Sequence, residues 1–287
     1  MRDTRLPTTR HVTSRRIVAV RGESLEVRDD RVVGEAPLEI RAAGPRQEPV
    51  VVAVTMRTPG HEDELAVGFL RTEGLIDGPE VVGTGPGDPT ALSQPDDTIT
   101  VRLSVPFDDS KVAERHFIAT ASCGICGKAS IDEIALRCEP LAAGPVVRRA
   151  VILALPDLLR AAQRVFDETG GLHAGGLFAP NGELIAIRED VGRHNALDKL
   201  VGSQVLAGAL PLRDRILMVS GRISFEIVQK AAVAGIPIVA AVSAPSDLAI
   251  ETADRLGVTL VGFVRGDSFN VYSHDNRIDL RDLSGLG

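Results

Sequence analysis

Two cysteines framed by glycines are the residues of this chain best suited to covalent chemistry. Cys123 and Cys126 stand in the segment ATASCGICGKAS and are two of only three cysteines among 287 residues. The adjacent glycines allow sharp backbone turns that leave sulfur atoms accessible, and Lys128 favours the thiolate, the form of cysteine that attacks electrophiles and binds metals. The pattern is compatible with a dithiol redox pair, half of a zinc site, a sulfur-carrying nucleophile or two inert buried thiols.

The surroundings of the two cysteines favour some of these alternatives over others. In a thioredoxin-like protein the Cys-x-x-Cys motif opens a helix inside a βαβ unit, whereas Gly124 and Gly127 disfavour a helix here. A structural zinc site needs four ligands, which Cys138 and His116 could complete, yet the chain has no second Cys-x-x-Cys and no His-x-x-His. We therefore expect no structural metal, and we expect Cys138 to be a plain buried thiol.

A second group of candidate residues lies in three turns that combine glycine with arginine. The turns are residues 188–195 (REDVGRHN), 220–224 (SGRIS) and 263–268 (FVRGDS), and each follows a strand-like run. Glycine lets the backbone approach a ligand, helix N-termini offer free amides, and arginine binds phosphate through two hydrogen bonds. The turns therefore predict a site for a large anionic nucleotide at the strand ends of a sheet. Alternatively, the arginines pair with nearby acids such as Glu189 and Glu226.

Neither Gly-x-Gly-x-x-Gly nor a P-loop sequence is present, so an ordinary dinucleotide or triphosphate site is not indicated. Two histidines close to the turns, His173 and His194, have the residue type of a general base. A structural histidine is the simpler interpretation of each.

Composition and charge exclude several classes of function. The net charge is −7, and the chain has no Trp, one Tyr and eight Phe, whereas nucleic-acid binding needs a basic face and stacking platforms. No apolar run is long enough to span a bilayer, and the basic start lacks the apolar core of a secretion signal. Three cysteines are a poor basis for a disulfide framework. We therefore expect a cytoplasmic protein without nucleic-acid or membrane partners.

The first half of the chain has mostly strand-like patterns. Short β-branched runs, with Gly and Pro between them, predict strands at residues 17–20, 24–28, 37–41, 50–56 and 98–105. One acidic, amphipathic stretch predicts a helix capped by Thr58, and the Gly-, Pro- and Asp-rich residues 83–97 predict a loop.

The second half alternates strand-like with helix-like runs, which predicts a mixed or mostly parallel sheet. Residues 156–169 have helical spacing and end at Gly170-Gly171, and three later runs (ILMVS, IVAAV, TLVGFV) are apolar enough for strands covered on both faces. The predicted fold class is α/β, or α+β over the whole chain. We divide it into a β-rich domain of residues 1–145, which ends in the cysteine segment, and an α/β domain of residues 146–287.

Six segments, taken in order, resemble the formate dehydrogenase accessory sulfurtransferases of the FdhD family. They are CGICG, TGGLHAGGLF, REDVGRHNALDK, SGRISFEIVQKAA, SAPSDLAIETA and LVGFVRGDSFNVY. The resemblance runs from the first predicted strands to Tyr272, and the order of the segments is far more specific than any one of them.

The resemblance implies a function and assigns residues to it. Members of the family accept sulfur from a cysteine desulfurase as a persulfide and transfer it to the bis-molybdopterin guanine dinucleotide cofactor of formate dehydrogenase. Cys123 matches the persulfide carrier, and Cys126 matches a cysteine that assists or resolves it. A cofactor-binding stretch of the family matches six consecutive residues, Phe263, Val264, Arg265, Gly266, Asp267 and Ser268.

The resemblance also implies a homodimer and a cytidine-deaminase-like C-terminal domain. The His-x-Glu and Pro-Cys-x-x-Cys zinc ligands of such deaminases are missing, so neither zinc nor deamination is expected. The alternative function is a chaperone that binds the molybdenum cofactor without carrying sulfur.

Overall fold

A computed structural model describes residues 11–86, 97–112, 139–141 and 144–281. The cysteine segment lies outside the described residues. The structure therefore does not test the predictions for Cys123, Cys126, Lys128 and Cys138, or for His116 as a zinc ligand.

The first strands form two small sheets. Their bounds are β1 Val12–Arg21, β2 Ser24–Val33, β3 Ala36–Ala43, β4 Val50–Arg57, β5 Val81–Pro86 and β6 Thr98–Leu103. Strands β1 and β2 form an antiparallel hairpin, and the other four form a sheet in the order β4-β3-β6-β5, in which β3 and β6 are parallel. Helix α1, Glu62–Thr72, contributes Leu65 and Leu70 to the same buried cluster as Leu38 and Val101 of this sheet.

The rest of the described chain is built around a six-stranded mixed sheet. Its strands, in the order β13-β12-β11-β10-β8-β9, are β8 His173–Phe178, β9 Leu184–Asp190, β10 Ile216–Val219, β11 Ile238–Ala241, β12 Thr259–Arg265 and β13 Ser268–Ser273. Strands β10, β11 and β12 are mutually parallel, and the other pairings are antiparallel. A further short parallel pair joins β7, Val147–Arg148, to β14, Ile278–Asp279.

Helices cover both faces of the six-stranded sheet. They are α2 Arg149–Ala162, α3 Arg164–Thr169, α4 Arg193–Leu206, α5 Phe225–Val233 and α6 Asp247–Arg255. Leu217 and Val239 face the buried cluster that contains residues of α4, α5 and α6, whereas Met218 and Ala240 face the cluster that contains residues of α2. The apolar strands are therefore buried on both faces, as their composition predicts, and the α/β class with a mixed sheet is confirmed.

Helices α1 and α4 join the two halves of the chain. A Cβ atom on Gly68 of α1 would lie 1.8 Å from the backbone oxygen of Asp198, and one on Gly202 of α4 would lie 1.8 Å from that of Glu64. Glycine at both positions lets the helix backbones touch. One buried cluster accordingly contains side chains of β3, α1, α4 and β10, so the hydrophobic core is continuous between the N-terminal sheet and the six-stranded sheet.

Buried ion pairs lie beside this helix contact. Lys199 Nζ is 2.7 Å from Asp190 Oδ2, with both side chains at most 1% exposed, and Lys230 Nζ is 2.9 Å from Asp198 Oδ1. Lys199 also donates to the backbone oxygen of Thr58 across the contact, at 2.8 Å. Lys230 donates likewise to the Thr72 hydroxyl of α1, at 2.9 Å. Because buried lysines are costly without their full set of partners, these two bonds to Thr58 and Thr72 favour one position of α1 relative to α4.

Three details of the predicted elements are wrong. Thr58 does not cap α1: His61 is the N-cap residue, and the Thr58 hydroxyl accepts a hydrogen bond from the Val191 N–H at 3.1 Å. The helix predicted at residues 156–169 is two helices, α2 and α3, and α2 begins seven residues earlier with Pro156 inside it. Burial of Val151, Ile152, Leu155 and Leu159 outweighs the cost of the proline. Residues 83–86 of the predicted loop belong to β5.

Candidate functional site

The three glycine–arginine turns meet at one edge of the six-stranded sheet. Strands β10, β11 and β12 are parallel, and β9 runs in the same direction because it is antiparallel to β8, which is antiparallel to β10. All four strands therefore end at the same edge, called here the carboxyl edge, where α/β proteins bind ligands. The turns at 188–195, 220–224 and 263–268 lie there, as the sequence predicts.

Three helices begin at the carboxyl edge. Their N-cap residues are Gly192 for α4, Ser224 for α5 and Ser246 for α6. The first turn of α4 contains no acidic residue, although Asp190 accepts a hydrogen bond from the Gly192 N–H at 2.8 Å. The first turns of α5 and α6 contain Glu226 and Asp247. Converging helix N-termini favour anionic ligands.

The loop of residues 243–246 connects two of the turns, 220–224 and 263–268. The sequence alone did not indicate this loop as part of the site. Residues 243–246 follow β11, and Ser243 accepts a hydrogen bond from the Phe263 N–H at 3.2 Å. Ala244 accepts one from the Ile223 N–H at 3.2 Å, and the Ser246 N–H donates back to the Ile223 oxygen at 3.0 Å. The sequence signal was a serine N-cap just after an apolar strand, but the loop has neither glycine nor arginine.

The arginines of the turns divide into one that is paired and three that are not. Arg188 donates to both carboxylate oxygens of Glu64 on α1, which confirms the alternative of acid pairing for this residue, although with a partner far away in the sequence. Burial raises the pKa of Glu64, but the bonds from Arg188 and His61 outweigh it and lower that pKa to about 2. Arg188 is therefore a structural residue that ties β9 to α1.

Arg193, Arg222 and Arg265 form no ion pair with any other residue in the described part of the chain. Arg222 and Arg265 are exposed. The Nε atom of Arg193 is buried and has no hydrogen-bond partner. Despite its burial, Glu226 on α5 has a lowered pKa, to which the charge of Arg193 contributes. None of the three guanidinium groups is neutralised by an ion pair with a described residue, however, which suits them to an anionic ligand.

Two histidines lie among these arginines, and both are kept neutral. Burial, followed by the charge of Arg193, lowers the pKa of His194 to about 4, and the same two causes lower the pKa of His173. His173 packs against Gly221, where a Cβ atom would lie 3.3 Å from its Nδ1. Neutral imidazoles can accept a proton from a bound group, so the general-base interpretation of His173 and His194 stays open.

The contacts of His194 do not form a hydrolytic triad. Its Nε2 lies 3.2 Å from Ser224 Oγ and 3.7 Å from Glu226 Oε2. A triad needs the carboxylate on the ring nitrogen opposite the serine, whereas here both groups lie on Nε2. The geometry favours ligand binding over nucleophilic catalysis by Ser224.

The depressed pKa of His194 has a consequence for stability. An unfolded chain binds this proton below about pH 6.5, whereas the folded protein binds it only near pH 4, so acidification between these values favours unfolding. Between pH 7.5 and pH 5, we expect the free energy of unfolding of His194→Gln to fall by about 1 kcal/mol less than that of wild type. The value allows for solvent screening, because the side chain is 34% exposed. Urea unfolding at the two pH values measures this. An equal loss in wild type and variant would contradict it.

The third turn is the tip of the β12–β13 hairpin. Phe263 has φ of 53°, a strained conformation for a bulky residue, in a bulge of β12. The Arg265 guanidinium lies 5.9 Å from the centre of the Phe263 ring. Among the six residues predicted to bind cofactor, Val264 is fully buried in the core cluster that contains residues of α2, whereas residues 265–268 are exposed.

Comparisons with known proteins extend over nearly the whole chain. The model of the FdhD/NarQ family matches residues 33–279. A protein named sulfur carrier protein FdhD from Streptomyces avermitilis is 48% identical over 285 residues, covering 96% of this chain and 99% of the relative. A protein of the same name from Sulfurisphaera tokodaii is 43% identical, covering 92% of this chain and 97% of the relative.

A solved structure agrees with these sequence matches. The crystal structure of a formate dehydrogenase accessory protein from Desulfotalea psychrophila has a TM-score of 0.71 at 27% identity and covers 93% of this chain and 99% of that chain. In the part of the chain that the structure describes, no helix has the length and apolar character needed to cross a membrane. From the family model and the relatives together, we conclude that the chain belongs to the FdhD/NarQ family.

Proposed function

We propose that this protein is a sulfur carrier required for formate dehydrogenase activity. Cys123 receives sulfur from a cysteine desulfurase as a persulfide, and the sulfur passes to the bis-molybdopterin guanine dinucleotide cofactor, the substrate of the transfer, before that cofactor enters the enzyme. The names of the full-length relatives support the sulfur-carrier role. The observation that carries the cofactor assignment is the cluster of unpaired arginines at the carboxyl edge, among three helix N-termini.

The carboxyl edge suits a guanine dinucleotide in charge and shape. Arg193 and Arg222 lie at the starts of α4 and α5, where helix dipoles add to their charge for binding phosphates. Phe263 and Arg265 lie at the end of β12, two strands from the turn of Arg222 and four strands from that of Arg193. They offer an aromatic face and a planar cation on which a purine base can stack. A protein with a net charge of −7 needs such a local cluster, because its overall field repels phosphates.

The sulfur transfer we propose uses both cysteines of the segment. The Cys123 thiolate attacks the outer sulfur of a desulfurase persulfide, so that a Cys123 persulfide forms and the desulfurase thiolate leaves. The Cys126 thiolate then attacks the inner sulfur, which forms a Cys123–Cys126 disulfide and releases hydrosulfide as a ligand for the cofactor metal. Two equivalents of external thiol reduce the disulfide and supply the two electrons that convert sulfane sulfur to sulfide.

The second candidate function, a chaperone that binds the cofactor without carrying sulfur, uses the same carboxyl edge. It is favoured only by the fact that the arginines and helix N-termini proposed to bind the cofactor belong to residues outside the cysteine segment. The two functions differ in their requirement for Cys123. A homodimer and a cytoplasmic location remain predictions from the resemblance and from the composition.

Nucleotide binding at the carboxyl edge has a direct test. Arg222→Ala and Arg265→Ala each remove a charge-assisted contact to phosphate or base, so we expect guanosine diphosphate affinity to fall about ten- to a hundredfold. Isothermal titration calorimetry measures the affinity. Arg213→Ala, an exposed arginine outside the edge, is the matched control and should bind as wild type does. Unchanged affinity in both site variants would move the nucleotide site elsewhere.

A further inference from the structure

A separate concave site lies on the N-terminal four-stranded sheet. It is a cavity of about 400 Å³ between the β3–β4 loop and strands β5 and β6, a volume typical of small-ligand pockets. Pro45, Pro49, Pro86 and Val82 supply much of its apolar wall. None of these elements contributes to the carboxyl edge, so the proposed function leaves this cavity unused.

The wall of this cavity is held in place before any ligand binds. The side chain of Gln47 accepts hydrogen bonds from the backbone N–H groups of Gly44 at 3.0 Å and Phe107 at 2.8 Å, and it donates to the Phe107 oxygen at 2.9 Å. A Cβ atom on Gly44 would lie 2.4 Å from the Val105 oxygen, so the loop backbone packs directly on the next segment. Such a preformed site loses little entropy when it binds a ligand.

Two polar side chains of the cavity, Arg102 and Thr100, have donors without partners among the described residues. Arg102 is exposed and has no hydrogen-bond or ion-pair partner among the described residues. Its Nη2 lies 3.3 Å from where a Cβ atom on Gly85 would be, so glycine there leaves room for the guanidinium over β5. Thr100, two residues earlier on the same face of β6, is 5% exposed, and its hydroxyl is buried without a hydrogen-bond partner.

We propose that this cavity binds an apolar carboxylate. One guanidinium forms a bidentate pair with a single carboxylate, the threonine hydroxyl is a second donor at the cavity floor that lacks an acceptor, and the proline and valine walls bury an aliphatic group. A lone arginine without a helix N-terminus does not suit a diphosphate. A free branched-chain acid and the C-terminal carboxylate of a peptide present this same chemistry.

The test uses the full-length protein and three probes. These are 4-methylpentanoate, the tripeptide acetyl-Gly-Pro-Leu with a free carboxylate, and the same tripeptide as its C-terminal amide. We expect calorimetry or methyl NMR of Val82 to show saturable binding of a carboxylate probe with a Kd of about 1–10 mM, as for a fragment-sized ligand, and at least tenfold weaker binding of the amide. Binding of the free acid alone identifies a small molecule as the source, and tighter binding of the tripeptide identifies a polypeptide terminus.

Two variants locate the site. Arg102→Met should weaken carboxylate binding at least about tenfold and Thr100→Val several-fold, whereas Arg213→Met, which makes the same charge change at an exposed position outside the cavity, should leave it unchanged. Thermal unfolding of each variant checks the fold. Equal binding of acid and amide, full affinity in Arg102→Met, or no binding of any probe at ten times the expected Kd would each overturn the proposal. Guanosine diphosphate titrations test the carboxyl edge independently.

Discussion

Replacing Cys123 by serine should abolish the ability of this protein to support formate dehydrogenase. Serine preserves the size of the side chain, but its oxygen cannot form the persulfide from which, in the proposed function, sulfur is delivered. In a strain that lacks the protein, the variant should restore less than about one hundredth of the wild-type formate dehydrogenase activity, as expected when a covalent nucleophile is lost. Mass spectrometry of wild type after incubation with a desulfurase and cysteine should show one added sulfur atom on Cys123, removable by thiol.

Two controls separate this chemistry from folding and from cofactor binding. Cys138→Ser makes the same substitution at a cysteine without flanking glycines and should retain most of the activity. Cys123→Ala should bind guanosine diphosphate with wild-type affinity, because the residues proposed to bind phosphate belong to the carboxyl edge. Full activity of Cys123→Ser would favour the chaperone function over sulfur transfer. Loss of nucleotide binding in Cys123→Ala would mean that the cysteine segment and the carboxyl edge form one interdependent site.

The sequence was sufficient for the central strands but not for two others of the same sheet, β8 and β13. Strands β10 to β12 are short apolar runs, and a run buried on both faces can be recognised from composition. Strand β8, with the sequence HAGGLF, was missed because two glycines interrupt the pattern. Packing requires the second of them: a Cβ atom on Gly176 would lie 2.7 Å from a methyl group of Leu159, a residue of the helix on that face of the sheet, whereas one on Gly175 would make only ordinary contacts. Such a requirement is visible only in three dimensions.

In the candidate site, too, the features set by nearby residues could be predicted from the sequence, and those set by distant residues could not. Turns at strand ends can be predicted to meet, because parallel strands end at one edge of their sheet. Which arginine stays unpaired cannot be predicted in this way. Arg188 and Arg193 are five residues apart in one turn, yet Arg188 is bound by Glu64, which is 124 positions away in the sequence, whereas Arg193 has no such partner. The contact between α1 and α4 decides this difference.

The same contact should make Gly202 one of the positions least tolerant of substitution. We expect Gly202→Ala to lower the free energy of unfolding by about 3 kcal/mol or more, equivalent to a decrease in Tm of roughly 6–12 °C for a chain of this size. Alanine favours a helix over glycine by only about 1 kcal/mol, whereas its Cβ atom would lie 1.8 Å from the Glu64 backbone oxygen. A backbone atom cannot rotate away, so the helices must separate.

Separation of the helices would also disturb the buried Lys199–Asp190 and Lys230–Asp198 pairs beside the contact, which adds to the loss. Gly83→Ala is the matched control, because nothing lies within 4 Å of its added Cβ atom and its stability should stay within about 0.5 kcal/mol of wild type. Calorimetric unfolding of both variants measures the difference. If Gly202→Ala were as stable as Gly83→Ala, the close helix contact, and with it the continuous core between the N-terminal sheet and the six-stranded sheet, would be wrong.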